Sequence, residues 1–312
     1  MQVAILDLGT NTFNLLIAES FDGNRYDILL NTKEGVKLGE GGINKKYITE
    51  AAFQRGIDAI GRHYGRMSQF KVDQVKAFAT SAIRDAANGK DFADALRTKF
   101  GLEISVISGD KEAELIYLGV KQTLPFTGKR FMILDIGGGS NEFIIANDSQ
   151  ILWKRSFKLG MARLLDRFNP SNPIQPNEIA NVEHYLKDEL QELFQAVNQH
   201  QPEVFVGASG SFDSFVAMLS SHGDLKHNNG DVFHEIPYDI YQKLHNLLIL
   251  STKDERDKME GLEPVRRDMI VLATIFVNFV LRETGLKTIY QSAYSLKEGA
   301  VFEMFSTFNF KS

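Results

Sequence analysis

Two aspartates, Asp7 and Asp135, each close an apolar run and each precede a short turn of small polar residues: VAILDLGTN and FMILDIGGGS. A second apolar run follows each turn. A carboxylate at the tip of a buried strand is a hard oxygen ligand suited to Mg2+. Glycines beside it let backbone N–H groups close on anionic oxygens. Gly9, Thr10 and Asn11 supply amides and side-chain donors in the first turn, and Gly137, Gly138, Gly139 and Ser140 do so in the second. Either turn alone reads as an ordinary hairpin whose aspartate satisfies turn amides. The same device written twice, in matched positions, predicts two turns that face each other and grip one phosphate chain with its metal. Neither turn continues into Gly-Lys-Ser/Thr, so neither is the lysine-bearing nucleotide loop.

Other residues could act beside these turns. Glu142, just beyond the second turn, adds a carboxylate suited to a metal, although an exposed strand glutamate would look the same. The segment from Ser108 to Glu114 opens a helix directly after a strand, and acidic residues there complement the helix dipole. One of them could take a proton from an attacking water. Glu112 and Glu114 point to different faces, and spacing alone does not choose between them. Arg84, at another strand-to-helix junction (Thr80 to Asp85), can bind phosphate oxygens through its fork or simply pair with Asp85. Gly207, Ser209 and Gly210 mark a third strand-end glycine loop. Lys33 with Lys37, and Lys154 and Arg155 with Lys158, are cationic clusters of a kind usually found on solvated faces.

Regular elements must carry these groups. Strands are predicted at Gln2–Asp7, Phe13–Glu19 and Tyr26–Leu30, with Asp22-Gly23 turning a hairpin. Apolar spacing predicts a helix from Thr49, its N-cap, to Gln69. A strand at Val75–Ala79, a helix at Asp91–Phe100, a strand at Ile104–Ile107 and a helix from Lys111 to Gln122 follow. Residues 125–129 (PFTGK) read as a linker. The pattern then restarts with strands at Phe131–Asp135, Asn141–Asn147 and Ile151–Phe157. Pro176–Gln199 reads as one long helix, Val204–Val206 as a strand and Pro264–Arg282 as another helix. Both halves run strand, aspartate turn, two strands, helix, strand, helix, which points to an internal duplication.

The chain has 312 residues, 43% hydrophobic and 24% charged, enough for about two globular domains. It contains no cysteine, which excludes disulfides and thiolate metal sites and fits a reducing cytosol. Its seven histidines show no paired spacing of the sort zinc needs. Asp7 interrupts the first apolar stretch, so no signal peptide is expected. The apolar run from Met269 to Leu281 falls short of the roughly 18 residues a membrane span requires. A net charge of −5 disfavours nucleic acid and anionic membranes as partners. A polyanionic ligand would have to be held by a local cluster of donors.

Together these segments resemble the Ppx/GppA family of exopolyphosphatases and guanosine pentaphosphate phosphohydrolases. The stretches that carry the resemblance are AILDLGTNTFNLLIAE, VKLGEGG, FATSAIRDAAN, VISGDKEAELIYLGV, FMILDIGGGSNEFIIA, GASGS, GLEPVRRDMIVLA and SLKEGAVFEM, in family order over nearly the whole chain. The resemblance implies an α/β fold of two related actin-like domains (the ribonuclease H-like superfold of sugar kinases, Hsp70 and actin) around a central cleft. The expected division is 1–125 and 126–312, with the last helix crossing back. It also selects Glu112 as the catalytic carboxylate. Asp7, Asp135 and Glu142 are the implied metal-handling residues. Gly9, Thr10, Asn11, Arg84, Gly137 to Ser140, Gly207, Ser209, Gly210, Lys37 and Lys297 are expected at the substrate.

Three positions depart from the family pattern. Glu114 replaces an arginine in the EAR segment, and Lys37 and Lys297 stand where arginine is common. Lysine keeps the charge and loses the bidentate fork. The chain ends soon after SLKEGAVFEM, where longer members carry a helical extension, so shorter polymers are the expected substrates. The expected activity is Mg2+-dependent release of orthophosphate from inorganic polyphosphate, with a monovalent cation as a further candidate. Guanosine pentaphosphate hydrolysis, phosphotransfer and non-catalytic sensing are the rivals. A cytoplasmic location is expected from the cysteine-free composition, and a homodimer from family analogy alone.

Overall fold

The computed structural model describes residues 1–21, 25–226 and 230–308, so the Asp22-Gly23 hairpin lies outside the described residues. Strands β1 (Gln2–Leu8), β2 (Thr12–Glu19) and β3 (Asp27–Gly35) come first. They precede α1 (Glu50–Met67), β4 (Gln74–Ala79), α2 (Ser81–Asp85), α3 (Gly89–Phe100), β5 (Ile104–Val106) and α4 (Gly109–Lys121). The second half opens with β6 (Phe131–Ile136), β7 (Asn141–Ala146), β8 (Ile151–Phe157) and α5 (Met161–Phe168). Then come α6 (Pro176–Glu189), α7 (Gln191–His200), β9 (Val204–Ala208) and α8 (Gly210–Ser221). Last are β10 (Phe233–Ile236), α9 (Tyr238–Leu250), α10 (Lys253–Arg256), α11 (Ile270–Thr284), β11 (Ile289–Ser292) and α12 (Leu296–Phe308).

The duplication holds at the level of register. The first sheet has the order β3-β2-β1-β4-β5, and the second contains β8-β7-β6-β9-β11 with β10 added at its edge. In both, the first hairpins are antiparallel and the later strands join in parallel. Asp7 pairs across the hairpin with Asn14, and Asp135 pairs in the same way with Glu142. Glu142 is therefore the counterpart of Asn14. The repeat is symmetric in backbone and asymmetric in charge.

Central strands are apolar on both faces because helices cover both sides. On β1, Ala4, Leu6 and Leu8 pack under α1 and α3, whereas Val3 and Ile5 face a layer formed by α4 and α12. On β6, Ile133 meets that same middle layer while Met132 and Leu134 join the core built by α5 to α9 and α11. The order is helix, sheet, helix, sheet, helix. In the middle layer α4 and α12 cross at backbone contact. A Cβ on Gly299 would lie 1.8 Å from the Leu115 carbonyl oxygen, and one on Gly119 would lie 2.0 Å from that of Ser295. The last helix thus seats against the first half, antiparallel to α4: its first turn meets Leu115 and Gly119, and Glu303 further along pairs with Lys111 at the start of α4.

Helix starts follow their capping chemistry. Thr49 accepts from the Ala52 amide and Ser108 from the Lys111 amide, each filling one of the orphan donors of a first turn. Two predicted helices are divided. The Pro176–Gln199 helix breaks at Leu190 (φ −99°, ψ 15°), whose side chain is fully buried. The bend keeps Val182, Leu186, Leu193 and Val197 on one core on either side of the break. Pro264–Arg282 opens as a 3-10 turn at Pro264–Arg266 before α11 begins at Ile270. Ion pairs of Glu263 with Lys33 and of Asp268 with Lys37 tie this opening to the first half.

Candidate active site

A cavity of about 380 Å³ opens where the sheets end. Gly9, Thr80, Gly137, Ser209 and Ala293, each following the carboxyl end of β1, β4, β6, β9 or β11, all line it. That is where open α/β sheets bind ligands. The two aspartate turns meet there. A Cβ on Gly138 would fall 2.4 Å from the Asn11 amide nitrogen, and one on Gly139 would fall 2.6 Å from both Thr10 Oγ1 and Ser81 Oγ. Glycines at both positions let the segments approach this closely, since any side chain there would have to displace Asn11, or Thr10 and Ser81. Each turn closes in the same way, by Gly9 N–H donating to the Thr12 carbonyl (3.1 Å) and Gly137 N–H to that of Ser140 (3.0 Å).

Five carboxylates line this cavity: Asp7, Glu112, Asp135, Glu142 and, on α8, Asp213. Asp7 accepts from Asn14 Nδ2 (2.9 Å), Asp135 from Ser295 Oγ (2.5 Å) and Glu142 from Ser156 Oγ (2.6 Å). Glu112 accepts from Arg84 Nη1 (3.0 Å), which also donates to the Ile107 carbonyl. Burial pushes the Asp7 carboxyl up to about 6, against the Asn14 hydrogen bond and the Lys297 charge. Burial and then the Glu142 charge push Asp135 up to about 7. Glu142 is raised by burial, opposed by the Ser156 hydrogen bond. Glu112 is raised well above the ordinary range by burial and the Glu142 charge, with Arg84 pulling the other way. Buried negative charge in excess of its cations is a place that favours a further cation.

Among the described residues no three His, Cys, Asp or Glu side chains form a protein-only metal cage. Mg2+ does not require one, since it is usually held by one or two carboxylates together with waters and substrate phosphates. Asp7 and Asp135, hard oxygen donors on facing turns, fit that chemistry. Glu142 is the cross-strand neighbour of Asp135.

Most residues singled out from the sequence line the cavity: Asp7, Gly9, Thr10, Asn11, Glu112, Asp135, Gly137 to Ser140, Glu142, Ser209, Gly210 and Lys297. Lys297 Nζ lies 2.9 Å from Glu298, whose side chain is fully buried; burial opposes the ammonium and the Glu298 charge more than offsets this, so its pKa is raised. Three residues are placed elsewhere. Lys37 is absent from the cavity wall and its ammonium faces Asp268 at 3.3 Å, which holds the side chain there. Gly207 lies within β9, where a Cβ would strike the Phe212 ring at 2.1 Å, so it makes room for α8. Arg84 does not line the cavity; it stands behind Glu112 and holds it. Glu114 is also outside the cavity wall, paired with Lys154 of β8 at 2.5 Å.

Sequence reasoning missed Asn14, Asp213, Arg266 and Ser295, all of which line the site, as does Lys33, which was read as part of a solvated cationic cluster. Asn14 could have been found by aligning the two turns residue for residue. Arg266, whose guanidinium packs over Gly210, carries no local signal beyond its arginine-rich segment.

The paired sheets of this strand order, with a cavity at the junction of two matching turns, define the actin-like class of α/β proteins. The Ppx/GppA phosphatase family matches residues 16–308, and the chain belongs to that family. It is similar to an exopolyphosphatase from Cytophaga hutchinsonii, with a TM-score of 0.95 and 34% identity over 98% of each chain. It is also similar to Exopolyphosphatase 1 of Mycobacterium leprae, 25% identical over 96% of this chain and 88% of the relative. The Aquifex aeolicus member of the family shares the fold at a TM-score of 0.80 and 23% identity, over 99% of each chain. Among the described residues no helix is long and apolar enough to cross a membrane.

Proposed function

We propose that the protein is an exopolyphosphatase, which removes orthophosphate from the end of an inorganic polyphosphate chain. The observation that carries this reading is the contact between the two aspartate turns, with Glu112 on the same cavity wall. The terminal phosphoryl would lie against the amides of Gly137 to Ser140 and the donors of Thr10 and Asn11. Glu112, held by Arg84 through Oε2, would take a proton as water oxygen attacks that phosphorus. The bond from phosphorus to the bridging oxygen breaks, and the shortened chain leaves with the bond's electrons. Burial makes Glu112 a stronger base than an exposed glutamate. Arg266, Lys33 and Lys297 bring positive charge to the walls. Mg2+, held by Asp7 and Asp135 with Glu142 beside them, would supply charge that neutralises the phosphate oxygens.

The relatives' names support this substrate class. The test is orthophosphate release from polyphosphate and from guanosine pentaphosphate at equal concentrations of phosphate ends, without nucleotide. Faster turnover of polyphosphate supports the proposal. Faster turnover of the nucleotide, or a requirement for an acceptor, replaces it.

A further inference from the structure

Arg163, in the first turn of α5, is 9% exposed and is not part of the cavity wall. Its guanidinium nonetheless joins three segments. Nε donates to the Gly139 carbonyl at 2.7 Å, Nη1 to the Ile43 carbonyl at 3.1 Å, and Nη2 to Asp85 Oδ2 at 2.6 Å and to Ser81 Oγ at 3.4 Å. Gly139 belongs to the glycine turn of the second half. Ile43, Ser81 and Asp85 belong to the first half. Asp85 directly follows Arg84, which holds Glu112.

A buried guanidinium is costly unless its donors are engaged, and an apolar side chain commonly fills such a place at no loss of stability. The geometry therefore specifies something beyond packing. Peptide planarity sets the Ser140 N–H opposite to the Gly139 carbonyl. An arginine that fixes this carbonyl also fixes the direction of that amide, next to the cavity.

We propose that Arg163 is a positioning residue for the hydrolytic site: it locks the second glycine turn in register with α2, and so sets the phosphate-binding amides at a constant distance from Glu112. This rests on the exopolyphosphatase reading given above. Lysine cannot replace the arginine, because a single ammonium cannot reach a planar set of four acceptors on separate segments. Other polar ties cross the same junction without touching the turn or the guanidinium: Asn44 Nδ2 donates to Asp166 Oδ2 at 2.7 Å and to the main-chain carbonyl of Arg163 at 3.2 Å. They serve as controls.

The experiment compares wild type with Arg163→Lys, Asp85→Asn and Asn44→Ala in steady-state orthophosphate release and in amide exchange of residues 137–142. Misplacement of reacting groups by about 1 Å costs on the order of 100-fold. Arg163→Lys is expected to lower kcat about 100-fold with KM changed less than about threefold, and to speed exchange in the turn at least about tenfold. Asp85→Asn is expected to act in the same direction, and Asn44→Ala to leave turnover near wild type. Should Arg163→Lys fold poorly, Asp85→Asn carries the same test. Wild-type kcat and unchanged turn exchange in both variants would overturn the inference, as would an equal loss in Asn44→Ala. If wild type itself releases no orthophosphate, the functional reading falls; turn exchange then decides the positioning claim by itself.

Discussion

Replacing Asp135 by asparagine removes a charge that the fold holds at a cost. The folded carboxyl binds its proton more tightly than an unfolded one, with a pKa raised from 3.8 to about 7. A group shifted in this direction costs nothing below the unfolded value. Its cost grows as pH rises through that interval and levels off above about 7. Three pH units correspond to about 4 kcal/mol at about 1.4 kcal/mol per unit, and Asp135, 8% exposed, has little solvent to screen it. The carboxamide introduced there could still accept the Ser295 hydroxyl. In urea unfolding with chelator present, Asp135→Asn should exceed wild type by up to about 4 kcal/mol at pH 8 and by less than about 1 kcal/mol at pH 4. Adding Mg2+ at pH 8 should stabilise wild type more than the variant. A variant no more stable than wild type at pH 8 would refute the claim that this carboxylate is electrostatically strained.

Four further outcomes follow from the geometry. Glu112→Gln should lower orthophosphate release about 1,000-fold while tripolyphosphate binding, followed by calorimetry, is retained; full turnover would remove Glu112 as the base. Gly299→Ala places a methyl against the Leu115 carbonyl and should cost about 3 kcal/mol in thermal unfolding, because two helix backbones must separate. Lys37→Ala should leave turnover within about twofold, whereas Lys297→Met strands the buried Glu298 carboxylate and should cost about 3–5 kcal/mol of stability.

What could be read along the chain was what is local or repeated. The turns at Gly9 and Gly137 announce themselves because each joins two apolar runs, and their recurrence predicts that they meet. Residues that depend on distant partners were not legible. Lys37 looks like a ligand until Asp268, far along the chain, claims it. Gly207 looks like a phosphate loop residue until Phe212 needs its space. Arg163 has no motif around it, and its four acceptors come from three separate segments. The break at Leu190 was hidden because the apolar periodicity continues through it, and only the curvature of the core reveals it. Arg84 and Glu112 were both noticed, but their pairing arises from the packing of α2 beside the start of α4.

A crystal structure of Glu112→Gln with tripolyphosphate and Mg2+ tests the central claim most directly. The account predicts one terminal phosphate touching both turns, Gly9 to Asn11 and Gly137 to Ser140, with the metal on Asp7 and Asp135 and the residue-112 side chain facing the phosphorus. A tripolyphosphate bound to one turn alone, or outside this cavity, would contradict it.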